Sequence, residues 1–418
     1  MYTLLDRALK YVVKSGQLAV TDYDGVVHHY GDGRGKPVAF RVNNRRAAAG
    51  IALDGDFYLG ECYMDGSLEV LSGTIYDVLE ILLVNLEGRS YPAALRMIYK
   101  AHKAMKRLDQ YNPIGRSRKN VAHHYDLSGQ LYDLFLDRDR QYSCAYFEEG
   151  VTSLEDAQLA KKRHLAAKLQ VKPGMKILDI GSGWGGLGIY LAETCGATVT
   201  GVTLSQEQHK VSTDRARQRG VGDRIEFRLL DYRQLDEKFD RIVSVGMFEH
   251  VGVVHYKEFF AKCAALLKDD GVALLHSINR SDGPGATSAW IKKYIFPGGY
   301  VPALSEVLPH IESNGLYVTD IEILRLHYAQ TIAEWAKRFA AHRERAQALY
   351  DERFCRMWEF YLAASETAFR HSGMNNFQIQ FCKSQHVLPL QRNYMIQDEE
   401  RLREIDSKRP RLKSIPAE

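Results

Sequence analysis

No stretch of the 418 residues stays apolar over the roughly 20 positions that a membrane-spanning helix needs. The opening residues, MYTLLDRALKYVV, are broken by Asp6, Arg7 and Lys10, which does not suit the apolar centre of a secretory leader. Cysteine is sparse. Cys62, Cys144, Cys195, Cys263, Cys355 and Cys382 are scattered without the spacing of a metal site, so free thiols, a reducing cytoplasm and no bound metal are expected. There is no internal repeat and no long low-complexity tract. Net charge is only +4, and no recognition motif accompanies the basic residues, which argues against a nucleic-acid partner. Against these absences, 45% apolar and 26% charged residues describe a globular chain long enough for two or three domains and a sizeable core.

The positive charge is uneven. Lys100, Lys103, Lys106, Arg107, Arg116, Arg118 and Lys119 face a single acid, Asp109, and Lys408, Arg409, Arg411 and Lys413 follow near the end. The plain reading is a solvated linker and a frayed tail. The functional reading is attraction to an anionic membrane surface, to which each basic residue adds about 1 kcal/mol.

Residues 1–95 read as a small α+β domain. Leu4, Leu5, Ala8, Leu9 and Val12 form a helical stripe, and runs at 18–21 and 26–30 flank the turn signal Asp24-Gly25. Runs at 38–42 and 57–63 read as further strands and 75–84 as a helix. This domain suits either binding of a lipid chain or docking and dimerisation. A basic linker or helix at 96–120 leads to an α/β region at 121–395. Its strands are expected at 176–180, 197–203, 225–230, 240–246 and 271–278, with helices between most of them. An insertion at about 280–310 precedes a mostly helical third, and 396–418 form a charged tail.

The most informative segment is KILDIGSGWGGLGIYL, 176–191. An apolar strand reaches Asp179, and Gly181, Ser182, Gly183, Trp184, Gly185 and Gly186 lead into a helix. Such a turn brings backbone N–H groups, without side-chain bulk, against a nucleotide-like ligand at the carboxyl end of the first strand. Gly181, Gly183 and Gly186 fit the dinucleotide spacing, so the turn alone leaves NAD, FAD and S-adenosylmethionine open. The next strand, ATVTGVTLSQEQ, lacks the acid that would hold a dinucleotide ribose and offers Thr203, Ser205 and Gln208 instead.

Six ordered motifs converge. They are QYSCAYF at 141–147, LDIGSGWGG at 178–186, GVTLS at 201–205, FDRIVSVGMFEHVG at 239–252, LLHSI at 274–278 and WIKKYIFP at 290–297. Together they resemble the cyclopropane-fatty-acyl-phospholipid synthases over roughly residues 110–385. The resemblance implies a seven-stranded, Rossmann-like class I methyltransferase domain with a helical lipid-binding cap. It implies S-adenosylmethionine contacts at Tyr142, Ser143, Asp179, Gly181, Ser182, Gly183, Gly185, Gly186, Thr203, Leu204, Ser205, Gln208, Asp231 and Tyr232. It also implies a bicarbonate site formed by Cys144, Glu249, His276, the backbone around Ile278, and Tyr328. Ser182 stands where many relatives have cysteine, and Asn279 where glycine or threonine is common. A homodimer follows from the family alone.

The implied reaction methylates a cis alkene in a phospholipid acyl chain. An alkene is a weak nucleophile, so a sulfonium methyl must supply the electrophile in a dry, aligned site. The resulting carbocation suits aromatic faces, by about 0.5–2 kcal/mol each. Tyr146, Phe147, Tyr294, Phe296 and Tyr300 are the expected lining. A base then removes a proton and the ring closes. Glu249 follows a buried strand, where an unpaired carboxylate is costly, and His250 is expected to orient it. Cys144 is expected to hydrogen-bond, not to attack. Asp231 is expected at the adenine end, with a helix cap as the competing role. Proton loss elsewhere would give a methylene- or methyl-branched chain. A non-catalytic lipid-binding relative and a small-molecule N-methyltransferase are the other readings. The intact set Cys144, Glu249, His276 and Tyr328 disfavours the first, and the second leaves the base site unexplained. The expected location is the cytoplasm, at the inner membrane face.

Overall fold

The computed structural model describes residues 2–87 and 128–409. The basic run at 100–119 lies outside the described residues, as do Arg411 and Lys413. The chain forms two compact units, each discontinuous in sequence. All six cysteines are buried and free, and no helix among the described residues is long and apolar enough to cross a membrane.

One unit gathers residues 2–87, 286–297 and 332–374. Its sheet contains β1 (Gln17–Thr21), β2 (Val27–Gly31), β3 (Pro37–Val42) and β4 (Leu68–Ser72) in the order β2-β1-β3-β4. The hairpin between β1 and β2 turns at Gly25, φ +86°, where the Asp22 carboxylate accepts the N–H groups of Asp24 and Val26. Leu18, Val20, Val38, Phe40, Val42 and Leu68 are buried, the alternation of a sheet with one covered face.

The expected strand at 57–63 is instead the helix Gly55–Met64, and β4 lies beyond it. Asp54 caps this helix by accepting the Phe57 N–H, and its aromatic residues, strand-like on paper, are held by tertiary packing. The rings of Phe57 and Tyr58 meet edge to face, and Gly60 runs directly against the Trp290 indole. Residues 286–297, from the expected insertion, and 332–374 thus group with the N-terminal residues.

The other unit contains residues 128–285, 298–331 and 375–409. Its seven strands are β5 (Lys176–Ile180), β6 (Thr198–Thr203), β7 (Ile225–Leu229), β8 (Phe239–Val245), β9 (Leu267–Arg280), β10 (Tyr317–Ile323) and β11 (Met374–Cys382, from Asn375 onward in this unit). Their order is β10-β11-β9-β8-β5-β6-β7. Strands β5 to β9 pair in parallel, and β10 pairs antiparallel with β11. This is the seven-stranded α/β architecture expected above. The apolar runs at β5, β6 and β8 are buried on both faces, as parallel strands require. The chain order reverses between β5 and β8, and ligand sites in open α/β sheets form at that crevice.

The helix Leu154–Lys168 is unusual: Lys161, Lys162, Arg163, His164 and Lys168 are all buried. Lys162 pairs with Asp139, Arg163 with Glu148 and Asp406, His164 with Glu322 and Glu399, and Lys168 with Glu322. Two of these partners, Glu399 and Asp406, come from the helix Asn393–Ser407, which overlaps the segment 396–418 expected as a charged tail.

Candidate active site

A cavity opens at the carboxyl ends of β5, β6 and β8. Gly181 and Gly183 take φ of +83° and +53°, a region that disfavours side chains. Gly181 and Ser182 both donate their N–H to the Val202 carbonyl, which ties the turn to β6. A Cβ on Gly183 would meet only open space, so its backbone faces the cavity bare.

Asp179 at the end of β5 is almost wholly buried, and its Oδ2 has no hydrogen-bond partner. Burial pushes its carboxyl up to about 7, with the nearby charge of Lys161 pulling the other way. The Ser182 hydroxyl is likewise buried and unpartnered. On β6, Thr203 donates to Gln208 Oε1 at 2.9 Å, which leaves the amide Nε2 of Gln208 for the cavity.

Tyr142, Ser143, Leu204, Asp231 and Tyr232 also line the cavity. Gly185, Gly186 and Ser205 do not. Gly185 starts the helix Gly186–Cys195, Gly186 lies against Gln141 and Asp139, and Ser205 caps the helix Gln206–Gln218 through the Gln208 N–H. The Asp231 carboxylate is held in a two-pronged pair with Arg233, at 2.9 and 2.8 Å, and caps a short 3-10 turn. The cap is therefore present, beside the cavity.

Motif reading missed Lys161. This buried residue lines the cavity and donates from Nζ to Gln141 Oε1 and Ser143 Oγ, both at 2.8 Å. Gln158, one turn earlier, donates to the Ser143 carbonyl at 2.9 Å. Polar residues at i and i+3 on one helix face were the available signal. Burial pulls the Lys161 ammonium down to about 8, and its charge acts on Asp179, Cys144 and His276.

The second group lies on neighbouring elements. Glu249 is buried just after β8. Its Oε1 accepts the Ile278 N–H at 2.6 Å, its Oε2 has no partner, and burial raises its pKa. His276 on β9 is buried, with Nε2 unpartnered and Nδ1 3.2 Å from Gln378 Nε2. Burial, then the charges of Lys161 and Lys168, lower the imidazole to about 3, so the ring is neutral. Burial raises the Cys144 thiol well above its ordinary value, so it stays protonated, and it donates to the Ala145 carbonyl at 3.3 Å. The Ala145 N–H donates to Thr331, on the helix that also carries the buried Tyr328.

Ile278 N–H orients Glu249, and His250 lines the cofactor cavity. Of the expected aromatic lining, Tyr146 stacks between His164 and His327, at 4.2 and 4.8 Å, and the Phe147 N–H donates to His327. Tyr300 donates its hydroxyl to Glu306 and its N–H to the Glu249 carbonyl. Tyr294 and Phe296 belong to the other unit.

A bare glycine turn, an unpartnered buried carboxylate and a free amide donor fit a ligand that carries hydroxyls and positive charge. S-adenosylmethionine is such a ligand. Comparison with known proteins points the same way. The family model described as mycolic acid cyclopropane synthetase matches residues 114–379. The cyclopropane-fatty-acyl-phospholipid synthase of Escherichia coli (strain K12) is 38% identical over 349 residues, spanning 83% of this chain and 88% of that protein. A probable fatty acid methyltransferase of Pseudomonas putida is 39% identical over 287 residues, spanning 66% and 73%. The crystal structure of mycolic acid cyclopropane synthase CmaA1 complexed with SAH and CTAB has a TM-score of 0.61 at 34% identity, covering 65% of this chain and 99% of that one. The chain belongs to the mycolic acid cyclopropane synthetase family of S-adenosylmethionine-dependent methyltransferases.

Proposed function

We propose that this enzyme methylates the cis double bond of unsaturated phospholipid acyl chains and closes the product to a cyclopropane. The observation that carries the reading is two buried, unpartnered polar atoms, Glu249 Oε2 in the turn just after β8 and His276 Nε2 on the neighbouring strand β9. S-adenosylmethionine, held by Tyr142, Ser143, the 179–183 turn, Thr203, Leu204, Gln208 and the Asp231-Tyr232 corner, supplies an electrophilic methyl. Asp179 offers its carboxylate to the positive end of this cofactor, while Lys161 fixes Gln141 and Ser143 in the wall.

Transfer leaves a carbocation on the chain. Loss of a proton from the added methyl lets the freed C–H electron pair close the three-membered ring. Bicarbonate held by Cys144, Glu249, His276, the Ile278 backbone and Tyr328 supplies the base and leaves as carbonic acid. Glu249 and His276 hold hydrogen-bonding atoms ready in a water-poor site, and Cys144 stays a neutral thiol. The enzyme works at the inner, anionic face of the membrane as a homodimer.

The relationship to a probable fatty acid methyltransferase favours a second reading, in which the cation loses its proton elsewhere and a methyl- or methylene-branched chain results. Incubation with vesicles of oleoyl phospholipid and methyl-labelled S-adenosylmethionine separates the two. A cyclopropane proton signature by NMR and loss of the alkene support the first. A branched skeleton establishes the second, and unlabelled lipid from folded, cofactor-loaded protein refutes both.

A further inference from the structure

A neutral imidazole carries its proton on one of two nitrogens, and the contact made by one nitrogen decides the state of the other. Gln378, on β11, is fully buried, and its amide Nε2 lies 3.2 Å from His276 Nδ1. An amide N–H can only donate. Nδ1 must therefore present its lone pair, and the ring proton sits on Nε2, the buried atom without a protein partner.

We propose that Gln378 is a positioning residue that fixes His276 in its Nε2–H form and so makes the site selective for an anion bearing its own hydroxyl. The proposal rests on the anion reading of Glu249 and His276 given above. With the ring in this form, His276 Nε2 donates, and Glu249 Oε2 accepts in its ionised form, which the Ile278 N–H at Oε1 favours against the burial that raises its pKa. Bicarbonate satisfies both, by accepting at a carboxylate oxygen and donating from its O–H. Nitrate or chloride can accept from His276 but has no hydrogen to offer Glu249, and its charge is repelled there. In the opposite tautomer both protein atoms are acceptors, and the anion loses its donor. Burial, with the charges of Lys161 and Lys168, keeps the ring neutral, so a second ring proton does not erase the distinction.

The test uses the full chain labelled with 15N-histidine, with long-range proton–nitrogen correlation to read the tautomer of His276. The wild type is expected to show Nε2 protonated. Gln378→Glu puts a carboxylate at Nδ1 and moves the proton there. Turnover on oleoyl phospholipid vesicles then falls about 10- to 100-fold, as for other residues that orient a site group. Affinity for S-adenosylhomocysteine stays within about threefold. Gln378→Met keeps the volume, removes the donor, and gives mixed tautomers with an intermediate loss, which decides the matter if the Glu variant does not fold.

A wild-type ring protonated on Nδ1 overturns the assignment. So does a Gln378→Glu enzyme that keeps Nε2 protonated and full turnover. Wild-type turnover in carbon dioxide-free buffer, with bicarbonate, nitrate or nothing added, tests the other premise. Independence from bicarbonate overturns the anion reading itself. Bicarbonate-dependent turnover with an Nδ1-protonated ring overturns only the part assigned to Gln378.

Discussion

Asp179→Asn tests the cofactor cavity where its charge is least compensated. Burial lifts this carboxyl from its ordinary 3.8 to about 7. A group with a raised folded-state pKa holds its proton more tightly when folded, so the folded chain loses stability as pH rises between those two values. Below 3.8 there is no penalty, and above about 7 the penalty is complete. At 1.36 kcal/mol per pKa unit, the full penalty is about 4 kcal/mol. Asparagine keeps the shape and cannot ionise. The ligand-free variant is therefore more stable than the parent by up to about 4 kcal/mol at pH 8, and by about 1 kcal/mol at pH 4.5. Urea denaturation followed by tryptophan fluorescence at the two pH values measures the difference.

The same carboxylate is where positive charge on S-adenosylmethionine is stabilised. Binding near pH 6.5 to the parent should release a proton, and binding to the variant should be weaker without that release. Calorimetry in two buffers of different ionisation heat counts the proton. Equal stability of the two proteins at pH 8, or an unchanged proton count, would refute the reasoning.

Glu249→Gln removes a proposed anion contact from an otherwise intact pocket. Turnover falls by about 100-fold or more, and S-adenosylhomocysteine affinity by calorimetry changes less than about threefold. Lys161→Met frees Gln141 and Ser143 from their shared ammonium, which weakens cofactor binding by about tenfold, or 1.4 kcal/mol, in the same titration. In the other unit, an added Cβ on Gly60 would lie 2.3 Å from Trp290 Nε1. Gly60→Ala therefore lowers stability by about 1–3 kcal/mol, read as a fall in Tm by scanning calorimetry.

The central parallel strands β5, β6 and β8 were legible as short, largely apolar runs, and the edge strand β7 by the alternation of Ile225 and Phe227 with Glu226 and Arg228. β5, β6, β7 and β8 lie within a residue or two of their expected limits. The glycine turn was legible because few residues tolerate positive φ. β10 and β11 did not register as strands: YVTDIEI and MNNFQIQFC bury Asp320, Asn375, Asn376, Gln378 and Gln380, so their polarity hides the core face. The helix 154–168 was hidden for the same reason, since five buried cationic or histidine residues look like a solvated surface until their partners are known. At 57–63 local aromatic content suggested a strand, and packing made a helix. Gln378 carries no motif and Lys161 only its i, i+3 spacing with Gln158, and their importance comes from the atoms they meet across the fold.

The charged helix 154–168 also constrains the order of assembly. Arg163 and His164 reach their partners Asp406 and Glu399 across more than 200 residues of sequence, as the separations 243 and 235 show. Glu148 and Glu322 give Arg163 and His164 one partner each earlier in the chain, and the helix Asn393–Ser407 supplies the second. The helix that places Lys161 in the cavity wall is thus tied at its back to residues far along the chain. A chain cut short of residue 393 would leave Arg163 and His164 with one partner each instead of two, and so would hold the helix that bears Lys161 less firmly.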